Sequence, residues 1–510
     1  MTDIEAIEPR RTVAVVGTGT MGQGIAQVAL VAGHPVRLHD TVPGRARDAA
    51  AAITGRLDRL VEKGRLAPRE RDAAVARLHE ADRLADLSDA ALVVEAIVER
   101  LEVKQRLFAE LEETVADDCL LATNTSSLSV TAIAGALRLP GRFVGLHFFN
   151  PAPLLPLVEV VSGFATDETA ATRAYATAEA WGKTPVRCAD TPGFIVNRLA
   201  RPFYAEALRV YEERGADPAT IDAVLRESGG FRMGPFELTD LIGQDVNEAV
   251  TRSVWEAFHQ DPKFTPSLAQ RRLVESGRLG RKTGRGWYPY GEGADRPCAR
   301  TEPPAPAPAS VTLHGHLGHA QALVGLMEEA GITVRRRRRG ARITLPGGGE
   351  LRLADGRTVF ERGGEEIVYF DLAHDYTTAT RIALATAATT SPETLQEAVG
   401  LFQALGKDVT VIGDVPGMIV ARTVAMLVDL AVDAVERGVA SADDVDTAMR
   451  LGVNYPAGPM EWAAKFGYRA VAGLLRAMHE HHPTGRYAPC LGVLRRACED
   501  ETAMKDQGSR

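Results

Sequence analysis

The sequence predicts an α/β Rossmann domain plus an all-α C-terminal domain, followed by a degenerate second Rossmann-like unit and a second all-α copy. Three observations predict it. A strand, glycine loop, helix, strand and acid follow one another near the N-terminus; a helical region runs from about Cys188 to Tyr290; and motifs of that region return 224 residues later, beyond a linker rich in Pro, Ala and Gly. The expected division is residues 1–187, 188–290, a linker at 291–310, then 311–408 and 409–510. A chain of 510 residues exceeds the usual single-domain size several-fold. With 45% hydrophobic and 25% charged residues it can bury real cores and is not disordered as a whole. No apolar run reaches the roughly 18–20 residues of a membrane helix, and the acidic start of the chain does not read as a signal peptide. A net charge of −8 argues against a nucleic-acid partner. Cytoplasmic residence is expected. The five cysteines are scattered without C-x2-C pairing, so reduced thiols are expected rather than a disulfide framework or a zinc site.

Thr12–Val16 is a short β-branched run that reads as a buried parallel strand. It leads into Gly17-Thr18-Gly19-Thr20-Met21-Gly22, then an apolar helix stopped by Gly33, then Pro35–His39 as a second strand ending at Asp40. Gly17 permits the tight turn, Gly19 lets backbone approach a pyrophosphate, and Gly22 lets the helix pack close to the strand. Thr20 and Met21 open the helix, whose free N–H groups and dipole favour phosphate. Asp40 stands where an acid binds the ribose hydroxyls of NAD and would repel a 2′-phosphate, so NAD is expected over NADP.

Ala91–Val94 and Leu120–Ala122 read as further buried strands, the second ending at Asn124-Thr125-Ser126-Ser127. Polar residues at the C-terminal end of a parallel strand lie where such sheets bind ligands. Ser126 or Ser127 also suits a helix N-cap. Two strand-like runs, one within Phe143–Pro151 and one at Leu157–Val161, flank a proline-interrupted turn. Side by side as a bent hairpin they would bring His147 to Glu159, and an imidazole oriented by a carboxylate can act as a general base.

Residues 12–290 resemble the L-3-hydroxyacyl-CoA dehydrogenases. The shared pieces are the glycine loop, Val94–Glu99, Asn124–Ser127, Gly145–Pro151, Asp190–Arg198, Gly234–Leu238 and Lys282–Tyr288. The full length is similar to the bacterial two-copy form associated with phenylacetate and butyrate pathways. The resemblance implies NAD-dependent interconversion of L-3-hydroxyacyl-CoA and 3-oxoacyl-CoA, with the thioester in a cleft between the first sheet and the helices after Cys188. It implies His147 as base, Glu159 as its partner, Ser126 and Asn197 holding the substrate oxygen, and Asn150 as a further catalytic residue. It places Glu99, Lys104 and Asn124 with the cofactor, although Glu99 and Lys104 read by themselves as helix-surface charges, and it makes Lys63 a CoA contact. One departure is Pro156, where members of the family often carry lysine. The acyl chain is left open between 3-hydroxybutyryl-CoA and 3-hydroxyadipyl-CoA; a dehydrogenase of a free 3-hydroxy acid or polyol, and a silent NAD-binding structural protein, are the competing readings.

In the repeat, Gly182-Lys183 returns as Gly406-Lys407, Asp190 as Asp414, Pro192-Gly193 as Pro416-Gly417, Arg198 as Arg422 and Gly234-Pro235 as Gly458-Pro459. Asn197 maps onto Ala421 and Glu159 onto about Ala383, so the second copy is expected to lack the chemistry. Residues 311–408 are expected to be structural. A helical copy fused in this way could occupy the surface through which single-copy members of the family dimerise, so an internal pseudo-dimer is expected, with a homodimer of whole chains left open. The run Arg335–Arg339 reads as a solvated edge or loop. The histidines at 314, 316 and 319, and at 479, 481 and 482, lack convincing acidic or cysteine partners, and no metal is expected.

Overall fold

The computed structural model describes residues 5–363 and 366–508, without the side chains of 501–508. The chain forms two compact units, Met1–Arg198 with Arg437–Val453, and Leu199–Glu436 with Asn454–Arg510. The helix Ala442–Val453 packs with the first unit.

The first unit is built on eight strands: β1 Thr12–Val16, β2 Val36–His39, β3 Leu78–Glu80, β4 Ala90–Glu95, β5 Leu120–Thr123, β6 Phe143–Phe148, β7 Leu157–Ser162 and β8 Thr184–Ala189. Their order is β3-β2-β1-β4-β5-β6-β7-β8, parallel throughout except for the antiparallel β6–β7 pair. β1 and β4 are buried at every position, as strands covered on both faces must be. Helices Thr20–Val31 and Glu168–Ala180 contribute Ile25, Leu30, Ala174 and Ala178 to the core beside this sheet. The helix Ala442–Val453 lies so close to β7 that a Cβ on Gly452 would stand 2.7 Å from a Leu157 methyl.

The second unit carries a seven-stranded sheet: β9 Ser310–Gly315, β10 Thr333–Arg337, β11 Ala341–Thr344, β12 Glu350–Leu353, β13 Ile367–Phe370, β14 Arg381–Thr386 and β15 Asp408–Ile412. Its order is β10-β9-β11-β12-β13-β14-β15. The last three strands repeat β6-β7-β8, an antiparallel pair followed by a parallel one. Toward the other end β11 runs antiparallel to both β9 and β12, which is where this sheet departs from a doubly wound one. Most of the Arg335–Arg339 run lies on β10, an exposed edge strand, where charge discourages pairing with another chain. The Pro/Ala/Gly-rich segment is anchored to the second unit: Glu302 N–H donates to Val409 O of β15 at 2.8 Å, and Gln403 Nε2 of the helix Pro392–Ala404 donates to Pro303 O at 3.0 Å.

The helices of the second unit bring the two helical copies together. Glu206, on Arg201–Glu212, is fully buried and accepts from Arg486 at 2.6 Å, Tyr487 Oη at 2.9 Å and Arg422 at 3.2 Å. Tyr455 of the second copy meets Phe203 of the first at a tilt, 5.6 Å between ring centres, and Phe231 edge-on at 5.1 Å. Cys119, Cys188, Cys298 and Cys490 are free thiols, and no described helix is long and apolar enough to cross a membrane.

Candidate active site

β6 and β7 pair in a register that sets His147 directly opposite Glu159. His147 Nδ1 and Glu159 Oε2 are 2.6 Å apart, with His147 5% exposed and Glu159 not exposed at all. The second carboxylate oxygen, Oε1, accepts from the backbone N–H groups of Ile195 at 3.0 Å and Val196 at 2.9 Å, which open the short helix Val196–Leu199. Glu159 therefore joins the imidazole to the segment that carries Asn197, and it leaves Nε2 as the free end of the ring. Phe149 and Phe194 flank the imidazole at 4.5 and 5.7 Å between ring centres. The turn between the strands is held by Lys183, whose Nζ donates to Ala152 O at 2.6 Å and Leu155 O at 2.9 Å.

Asn197 reaches the loop after β5, where its Nδ2 lies 3.4 Å from Ser126 O. Ser126 is exposed on that loop, and Asn150 is exposed at the end of β6. Asn124 ties the two strand ends together, its Oδ1 accepting from Phe148 N–H at 2.8 Å. The side chains of Ser129, and not Ser126 or Ser127, cap the following helix, Val130–Ala134.

Lys104 is not the helix-surface charge that the sequence suggested, whereas Glu99 stays exposed, on the bend before the helix Leu101–Thr114. Lys104 is 1% exposed and donates to Glu95 Oε1 at 2.5 Å, with Glu99 Oε2 at 3.2 Å. Its ammonium is thus paired with two carboxylates inside the protein. Thr123 completes this network, its hydroxyl donating to Glu95 Oε2 at 2.7 Å. Glu99 Oε1 accepts from Thr125 Oγ1, Ser126 N–H and Ser127 Oγ at 2.5, 3.1 and 2.9 Å, so it holds the loop that presents Ser126. Burial pushes the Glu99 carboxyl up, but Lys104 and these donors outweigh it and leave it below its ordinary value. Glu95 and Thr123 escaped the sequence reading because a buried acid at a strand end carries no periodic signal; the lysine nine residues beyond Glu95 was the available clue.

The glycine loop fits a dinucleotide. Gly17 has φ +95°, and a Cβ on it would lie 2.5 Å from Ala96 O; one on Gly22 would lie 1.9 Å from Gly17 O. Above Gly19 a Cβ would meet nothing within 4 Å, and the helix starting at Thr20 has no side-chain cap, so its first N–H groups stay available to an anion. Asp40 lies beside this loop: its Oδ2 accepts from Thr18 N–H at 3.0 Å and Thr18 Oγ1 at 2.7 Å, and its Oδ1 from Val42 N–H at 3.0 Å. Partial burial raises its pKa, but these donors prevail and keep the carboxylate ionised below its ordinary range. Lys63 is exposed just after the helix Arg45–Glu62, and no contact joins it to the groups above.

Comparison with known proteins places this geometry. The model of the 3-hydroxyacyl-CoA dehydrogenase NAD-binding domain matches residues 12–191, and that of the C-terminal domain matches 193–290 and again 417–510. The 3-hydroxybutyryl-CoA dehydrogenase reduced Rossmann-fold domain matches 351–416. The chain is 43% identical over 492 residues to 3-hydroxyadipyl-CoA dehydrogenase of Escherichia coli K12, covering 96% of this chain and 97% of that one. It is 42% identical over 280 residues to 3-hydroxybutyryl-CoA dehydrogenase of Mycobacterium tuberculosis, 54% of this chain and 98% of that one. A crystal structure of 3-hydroxybutyryl-CoA dehydrogenase from Escherichia coli K12 superposes with a TM-score of 0.88 at 41% identity, covering 97% of this chain and 99% of the other. With its nucleotide loop, its imidazole–carboxylate pair and both helical copies, the chain belongs to the 3-hydroxyacyl-CoA dehydrogenase family and is an NAD-dependent oxidoreductase.

Proposed function

We propose that this enzyme oxidises the 3-hydroxyl of a short-chain L-3-hydroxyacyl-CoA, of the class that includes 3-hydroxybutyryl-CoA and 3-hydroxyadipyl-CoA, with His147 as the general base. The observation that carries the reading is the buried 2.6 Å contact between His147 Nδ1 and Glu159 Oε2. When bound, NAD supplies the hydride acceptor. Gly17–Gly22 holds its pyrophosphate and Asp40 its ribose hydroxyls; Thr20 and Met21 supply the first turn above the phosphates. His147 takes the hydroxyl proton at Nε2, and the positive charge that this leaves on the ring is stabilised by Glu159 through Nδ1. Ser126 and Asn197, adjacent in the structure, hydrogen-bond the substrate oxygen as it becomes a carbonyl, and Asn150 orients the thioester beside them. Glu99 and Lys104 act through the loop that presents Ser126. Lys63, exposed after the helix Arg45–Glu62, contacts the CoA.

The test is steady-state kinetics on His147→Gln. Turnover should fall by roughly 10²–10⁴-fold, the usual contribution of a positioned base, while NADH affinity stays as in the parent. Unaltered turnover would refute the assignment. Acetoacetyl-CoA should be reduced far faster than free acetoacetate, and 3-hydroxyadipyl-CoA measured against 3-hydroxybutyryl-CoA decides the acyl chain.

A further inference from the structure

The second sheet keeps a crevice. β9, β12 and β13 run in the same direction, since β11 is antiparallel to both β9 and β12 while β12 and β13 are parallel. The residues just past their carboxyl ends, Leu317, Ala354 and Leu372, line one side of a cavity of about 570 Å³. Ala425 of the helix Val420–Glu436 and Leu474 of Tyr468–His481 line the other side. Open α/β sheets bind ligands in this position, outside the carboxyl ends of their strands, and the volume falls within the roughly 300–1,000 Å³ of small-molecule sites.

The lining also excludes and selects. The turn after β9 offers Leu317, Gly318 and His319 where the first copy has its glycine loop, and His319 Nε2 is engaged with Ala373 O at 2.8 Å. Two N–H groups of that turn are already engaged, Leu317 donating to Gln321 Oε1 at 3.0 Å and Gly318 to His316 Nδ1 at 2.9 Å, rather than free for a pyrophosphate. The wall is largely apolar, yet four arginines line it, at positions 352, 357, 362 and 469, against a single acid, Asp355. Arg352 is satisfied by Glu350 at 2.6 Å, and Arg362 is paired with Asp355. Arg357 has only that shared carboxylate, at 3.6 Å, and Arg469 is exposed with no ion pair among the described residues. An apolar chamber with surplus guanidinium charge suits an amphipathic anion.

We propose that this crevice binds an apolar chain that ends in an anionic group, with the chain on the Leu372–Leu474 wall and the anion on Arg357 and Arg469. Two sources carry this chemistry: a free medium-chain carboxylate, and an acyl-CoA whose phosphates meet the arginines. The proposal stands independently of the chemistry in the first half of the chain.

Calorimetric titration of the full-length protein tests it, with octanoate for the first source and butyryl-CoA, which has no 3-oxygen to react, for the second. Either octanoate binds saturably at one site per chain, or butyryl-CoA binds at two sites, the active site and this one. In both cases the binding in the crevice should weaken at least about tenfold in Arg357→Glu/Arg469→Glu, through lost charge pairing, and in Ala425→Trp, which fills the chamber, with turnover kept in both variants. No octanoate binding together with a single butyryl-CoA site overturns the proposal. So does binding of either probe that is as tight in both variants as in the parent.

Discussion

Glu159 does two jobs with its two oxygens. One orients His147, and the other satisfies the N–H groups of Ile195 and Val196, which would otherwise be buried donors without partners. The two jobs are separable. In Glu159→Gln the side-chain carbonyl can keep both backbone bonds while the charge facing the imidazole is gone, so kcat should fall by about 10²-fold or more with Tm nearly that of the parent. Glu159→Ala should lose both activity and roughly 1–3 kcal/mol of stability for each abandoned N–H. Equal melting temperatures for the two variants, measured by calorimetry beside kcat, would show that the backbone bonds carry no weight.

The second copy shows what an element retains when the His–Glu pair is replaced, here by Asp371 and Ala383. Asp371 follows β13 and faces Ala383 of β14, with its N–H donating to Ala383 O at 2.9 Å, so it stands where His147 stands in the first copy. Its carboxylate accepts from Ile419, Val420 and Ala421 N–H at 3.0, 2.7 and 3.0 Å, and so takes over the backbone half of Glu159's work from the opposite strand. Other supports recur in place. Lys407 Nζ donates to Tyr376 O and Ala379 O as Lys183 does to the first hairpin, and Phe194 and Met418 share a φ of +51°. Burial pushes the Asp371 pKa up to about 6 from an ordinary 3.8, against the pull of its N–H donors. With the folded-state value raised, the native state holds the proton more tightly than the unfolded chain does. Its contribution to stability is present below pH 3.8 and is lost as the pH rises through about 6. That loss is roughly 3 kcal/mol. Asp371→Asn should be less stable at acidic pH, because an amide N–H₂ confronts backbone donors, but the deficit should shrink by pH 8. Urea midpoints of parent and variant at the two pH values check this; a deficit that does not change between them refutes it.

At the scale of the whole molecule, the duplication supplies a partner surface. The helix Arg201–Glu212 buries Phe203 and Glu206 against groups from the second helical copy, including Arg422, Arg486 and Tyr455. A chain that ends at residue 291 would expose this apolar and charged face to water, and a contiguous patch of this kind favours association. Such a fragment should be insoluble or newly dimeric by light scattering. A monodisperse, fully active monomer would show that the second helical copy is dispensable for the first.

The strand–glycine–helix–strand–acid series, the His147 and Glu159 strands and the repeat were legible in the sequence because each rests on local rules: burial patterns, glycine turns and fixed spacing. Lys104 was not legible, since a lysine on a helix reads as solvated until the fold places Glu95 beneath it and makes burial with a partner the better state. Nor was the work of Asp371: the offset that aligns Glu159 with Ala383 also aligns His147 with Asp371, but only the fold shows its carboxylate accepting from Ile419, Val420 and Ala421. The allocation of the helix Ala442–Val453 to the first unit and the arginine-lined crevice of the second likewise depend on contacts between segments distant in sequence. The sequence by itself determined the family, the cofactor and the order of the elements. Only the tertiary structure decided which charges are buried and paired and which stay free for a ligand, because pairing is a property of three-dimensional proximity and desolvation, and neither is written in the spacing of residues along the chain.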